Sequence, residues 1–133
     1  MRRLRFFTSY IAKIKALINY RLICIMRYPP AWVMQLIKDG YVDWEPTLAP
    51  TGEMLRKYKT VSHEFMEEYM EILDHYLEGC LERYKLHYDN LGKPIIFMCC
   101  EKAPKQCHRY LLAHRLTELG HIVEEYDVSA KTG

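Results

Sequence analysis

No stretch of this 133-residue chain is apolar and long enough to cross a membrane. The longest early uncharged run, Phe6 to Ala12, is cut by Lys13 and Lys15, far short of the roughly 20 residues a span requires. The same lysines break any secretory leader. The expectation is therefore a cytoplasmic protein with reduced thiols. An odd cysteine count (Cys24, Cys80, Cys99, Cys100, Cys107) also fits a complete disulfide framework poorly. Glycine and proline number six each, too few for collagen-like or low-complexity character. No solenoid repeat occurs. There is no Walker loop, no GxGxxG, no HExxH and no GxSxG.

Acidic residues are absent from the first 38 positions, which carry eight basic ones and a charge of +8. The remainder holds eleven basic against seventeen acidic residues, for −6. Such a split suits a nucleic-acid or acidic partner, or two parts of one domain that attract each other. The second reading fits better, because the basic segment is patterned like folded structure. Half of the residues are hydrophobic, enough to bury a core.

The pattern predicts strands at Leu4–Tyr10, Arg21–Met26, Tyr41–Glu45, Pro94–Cys100 and Ile122–Tyr126. Helices are predicted at Ile11–Ile18, Ala31–Lys38, Glu53–Lys59, from Ser62 to about Asn90, and Cys107–Leu119. Gly40 and Gly120 stand where helices stop. The long helix carries a broad apolar stripe that includes Tyr76, and an acidic opposite face from Glu64 to Glu82; Gly79 would weaken or kink it. In the last helix Leu111, Leu112, Leu116 and Leu119 are expected to face inward. The fold class is thus a single α/β domain over 1–133, a three-layer Rossmann-like arrangement with a mostly parallel sheet of four to five strands, frayed at 128–133.

Ligands of such sheets bind beyond the strand carboxyl ends. Three motif-bearing turns fall there: Thr8-Ser9-Tyr10, Arg27-Tyr28-Pro29-Pro30, and Cys99 to Arg109 (CCEKAPKQCHR). The third runs from a buried strand through a basic loop into a helix start, where free N–H groups favour anions and lower a thiol pKa. Glu101, Cys107 and His108 are the candidate catalytic residues, for proton transfer and nucleophilic attack. Arg27, Arg109 and Ser9 are the candidate ligand-binding residues, with each arginine suited to a carboxylate or phosphate. The plainer alternative makes Arg109 a structural partner of a carboxylate and pairs Arg27 with the acidic helix. A metal or iron–sulfur site from Cys24, Cys99, Cys107 and His108 is a second alternative. A non-catalytic module that binds nucleic acid or protein is a third. No cofactor is implied, and the Cys-to-Arg spacing does not fit the thiol-phosphatase loop, which needs five intervening residues. The best reading is a protein that binds or acts on an anionic, nucleotide-like or phosphate- or carboxylate-bearing ligand.

The strand end Cys99-Cys100-Glu101-Lys102 followed by the helix start Cys107-His108-Arg109 resembles the family called domain of unknown function 488. Thr8-Ser9-Tyr10, Arg27-Tyr28-Pro29-Pro30, Leu48-Ala49-Pro50, Lys59 and the Tyr69 region extend the resemblance over nearly the whole chain. It implies an α/β fold and a shared pocket, and supplies no reaction.

Overall fold

Continuous apolar runs cannot alternate between a wet and a dry face, so each must be covered on both sides. The strands β1 (Arg5–Tyr10), β2 (Arg21–Cys24) and β4 (Ile95–Cys99) are of this kind; every residue of β4 is buried. In a computed structural model they join β3 (Val42–Trp44) and β5 (Ile122–Glu125) in one five-stranded, all-parallel sheet of order β3-β2-β4-β1-β5. Helices α1 (Ala31–Lys38), α2 (Gly52–Lys57), α3 (His63–Leu91) and α4 (His108–Glu118) alternate with them. The structure describes residues 5–10, 17, 20–91, 95–99 and 108–125, without the side chains of 86–91. The helix expected at 11–18 lies outside the described residues apart from Leu17, which is buried, as does the frayed terminus expected at 128–133.

The architecture is a three-layer α/β sandwich. Its strand order departs from the 3-2-1-4-5 run of a dinucleotide-binding sheet, because β4 sits between β2 and β1. The chain moves from β1 to β2 to β3 in one direction, then turns back through β4 to β5. Right-handed crossovers then put α1 on one face and α3 with α4 on the other, and α3 and α4 do contact each other. The outgoing connections diverge between the neighbours β2 and β4. That is the switch point at which such sheets open a crevice. It lies between Cys24–Arg27 and the end of β4, where the Ile25 N–H donates to the Met98 carbonyl at 3.0 Å.

The helices end as their glycines require. Gly40 and Gly120 adopt positive φ of 84° and 94°, a conformation that costs a side-chain-bearing residue energy. Pro29 and Pro30 stop β2, and the Pro30 carbonyl accepts the first N–H groups of α1. The stripe on α3 is narrower than its sequence pattern: Phe65, Tyr69, Leu73, Leu77, Cys80, Leu81 and Tyr84 are buried, while Tyr76 is 44% exposed. Leu119 is also exposed rather than inward-facing, because α4 ends at Glu118 and the chain turns there. Gly79 does not break α3, which runs through it. A Cβ at that position would meet nothing within 4 Å. Gly79→Ala is therefore expected to stabilise the fold by about 1 kcal/mol, raising the melting temperature by roughly 3–5 °C in calorimetry.

Among the described residues, the early arginines on strands find their acids within the sheet and not on the acidic helix. Arg5 pairs with Glu124 of β5, and Arg21 with Asp43 of β3. The helix acids Glu68 and Asp74 instead take Lys57 and Arg115. Both early arginines stand on strands, so their side chains reach acids on adjacent strands and not the helix layer.

Candidate functional site

Three groups of side chains assemble at the strand carboxyl ends. The first surrounds Arg109, in the first turn of α4 and wholly buried. Its Nε and Nη2 donate to the two Glu125 carboxylate oxygens at 3.2 and 2.9 Å, and its Nη1 donates to Cys99 Sγ at 3.3 Å. The guanidinium also stands 6.0 Å from the Tyr10 ring centre. Thr8 donates its hydroxyl proton to Glu125 at 2.6 Å. The fork of Arg109 is thus held by a bidentate carboxylate. Sequence separation hid this partner, since Glu125 comes from the far strand β5.

The second group is built on His108. Its Nε2–H donates to the Ile25 carbonyl at the end of β2, and its ring meets the Tyr69 ring edge-on with centres 5.3 Å apart. A carbonyl can only accept, so the proton sits on Nε2. Burial pulls the imidazole down to a pKa of about 4 from the ordinary 6.5; the Ile25 hydrogen bond opposes this and the Arg109 charge adds to it. The ring is neutral at pH 7. Tyr69 in turn donates its hydroxyl to the Leu48 carbonyl at 2.6 Å, and burial pushes that phenol upward.

The third group is Arg27, just beyond β2. Its Nε donates to the Pro50 carbonyl at 2.9 Å and its Nη2 to the Pro46 carbonyl at 3.0 Å. Among the described residues no carboxylate pairs with it, so it does not join the acidic face of α3 at Glu64 to Glu82. It lines a cavity of about 250 Å³ together with Pro46, Thr47, Ala49 and Thr51 of the loop after β3, and Ile72 and Tyr76 of α3. Thr51 caps α2, its hydroxyl oxygen accepting from the Met54 N–H at 3.1 Å.

Behind Thr47 lies a polar cluster. Glu45 accepts hydrogen bonds from Thr47, from Tyr84 at 2.6 Å and from Arg83 at 2.6 Å. Burial raises the Glu45 pKa, but those bonds and the Arg83 charge outweigh it and keep the carboxyl below its ordinary range. The Cys80 thiol, 3.7 Å from the Thr47 hydroxyl, is pushed up by burial and is no ready nucleophile.

Several predicted site residues do not meet in one place. Arg109 is not among the residues lining the Arg27 cavity. Ser9 is buried within β1 opposite Met98, also away from it. Glu101 and Cys107 lie outside the described residues. Cys24 and Cys80 form no disulfide, while Cys99 is disulfide-bonded, against the expectation that all thiols are reduced. Among the described residues no three His, Cys, Asp or Glu side chains are grouped to hold a metal ion, and none of the helices is long and apolar enough to cross a membrane. The sequence reading missed Thr47, Thr51, Ile72 and Tyr76. One signal for them was present: two prolines crowded into the 46–51 loop directly after a strand end fix a loop at the ligand-binding edge.

A family model described as the active DUF488-N3 subclade matches residues 7–120, most of the chain. No curated protein matches, and no solved structure does.

Proposed function

The chain belongs to the active DUF488-N3 subclade, and from that premise we propose that it binds, or acts on, an anionic small molecule at the carboxyl edge of the sheet, beside the ends of β2 and β3. A phosphate, a nucleotide-like compound or a carboxylate fits that description. One observation carries the reading: Arg27, which has no carboxylate partner among the described residues, is fixed by two carbonyls on the wall of a cavity at that edge. Two carbonyls fix the guanidinium in place without neutralising it, so little side-chain entropy remains to be lost on binding.

The other groups of the motif take supporting roles in this reading. His108 ties the start of α4 to the end of β2 through Ile25 and holds the crevice in shape. Arg109, buried and paired with Glu125, braces the start of α4 beside the site. If the ligand is turned over, proton transfer or attack falls to Glu101 and Cys107, which the chain places between β4 and α4.

A thermal-shift and calorimetric screen of phosphate, nucleotides and small carboxylates tests the reading. At least one anion is expected to bind, and Arg27→Gln to weaken it about 10- to 100-fold, the loss of a charge-assisted hydrogen bond. Arg27→Lys keeps the charge without the fork and should fall between. If none of these anions binds, or if Arg27→Gln binds as the parent does, the reading is wrong.

A further inference from the structure

The Arg27 cavity is poorly matched to a phosphate and well matched to a different anion. Among the described residues that line it, Arg27 is the one cation. Two of its nitrogens already serve the Pro46 and Pro50 carbonyls. Of the two threonine hydroxyls on the wall, Thr47 spends its proton on Glu45. Thr51 accepts from the Met54 N–H and so keeps its own proton to give. The ionised Glu45 stands one hydroxyl away, and Arg83 cancels its charge without leaving a surplus. The remaining walls, Pro46, Ala49, Ile72 and Tyr76, are apolar or aromatic.

A phosphate ester would bring about two negative charges and three strong acceptor oxygens into a site with a single positive charge and few free donors. Its lost hydration would go largely unreplaced. A carboxylate brings one charge and two oxygens, which one guanidinium edge satisfies. Its carbon body would lie on Ile72 and the Tyr76 ring. The volume of about 250 Å³ falls below the ~300–1,000 Å³ of pockets that take drug-sized ligands, which suits a small ring or short chain and not a nucleotide.

We propose that this cavity selects small monocarboxylates with an apolar or aromatic body over phosphate esters. The proposal rests on the anion-binding reading above and narrows it to one class. Calorimetry at pH 7 and matched ionic strength, with benzoate, benzamide, phenyl phosphate and inorganic phosphate, tests both. Benzoate is expected to bind about 10-fold or more tightly than phenyl phosphate, and about 10-fold more tightly than neutral benzamide. Tyr76→Ala, at an exposed helix position that the core does not need, is expected to weaken benzoate several-fold and leave the melting temperature nearly unchanged.

Each alternative outcome has a distinct meaning. Phenyl phosphate equal to or tighter than benzoate overturns the carboxylate selectivity and leaves the anion reading standing. Benzamide equal to benzoate, or no binding by any of the four, overturns the carboxylate proposal, and the anion reading falls with it only if the wider screen of phosphate, nucleotides and small carboxylates is also silent. Benzoate affinity unchanged in Arg27→Gln and in Tyr76→Ala places binding elsewhere and overturns the proposal even if one variant folds poorly.

Discussion

Glu125→Ala is expected to cost about 3 kcal/mol of stability, more than any surface substitution in this chain. The reason is the position of its partner. Arg109 is wholly buried, and Glu125 takes two of its nitrogens. Removing the carboxylate strands a guanidinium away from water, and breaking a buried pair on one side typically costs about 3–5 kcal/mol. The lower end applies because the Glu125 side chain is 27% exposed, which lets water reach the gap. The double variant Arg109→Met with Glu125→Leu removes both charges and should recover much of the loss. Urea titration reads both as shifts in midpoint at constant slope. A double variant no better than the single would mean that geometry, not charge, holds this corner together. A ligand response that survives in the double variant would make Arg109 structural and leave Arg27 as the binding cation.

Acid is expected to loosen the same edge through His108. Its folded pKa of about 4 lies below the 6.5 of the unfolded chain, so the unfolded state binds the proton first. Stability from the neutral ring is therefore complete above pH 6.5 and is lost as pH falls from there to about 4. The slope is about 1.4 kcal/mol per pH unit, or roughly 3 kcal/mol over the window. The Glu45 pKa is lowered instead, so its contribution is present above the ordinary carboxylate range and lost further down. The two windows are separable, with His108 acting first. His108→Gln keeps a donor for the Ile25 carbonyl and cannot titrate. It should flatten the stability profile between pH 6.5 and 4, measured by urea unfolding at each pH. A profile equally steep in the variant would assign the loss to other groups.

Much of this architecture was legible in the sequence because it is written in local periodicity. An all-apolar pentapeptide such as Ile95–Cys99 has one stable fate, a strand covered on both faces. The i, i+4 recurrence through Phe65, Tyr69, Leu73 and Leu77 has one fate as well, a helix with one buried stripe. Glycines at positions 40 and 120 ended their helices for a backbone reason that needs no neighbours. Element type, the alternation of strand and helix, and the parallel sheet followed from these.

Partner identity did not follow. Whether Tyr76 closes the core or walls a cavity depends on how α3 lies against the 46–51 loop. Its place in the periodic pattern is the same either way. The sequence marked Arg27 and Arg109 as similar cations near strand ends, and only the folded chain separates them. One is brought to Glu125 by β5 docking beside β1, and its charge is met. The other is caught by the carbonyls of Pro46 and Pro50, which orient it and leave its charge unspent. Sequence periodicity encodes which face of an element is dry. Which charge finds a counter-ion is decided by strand order and loop closure, where residues far apart in the chain meet, and at this sheet edge that decision separates Arg109, paired with a carboxylate, from Arg27, held by carbonyls.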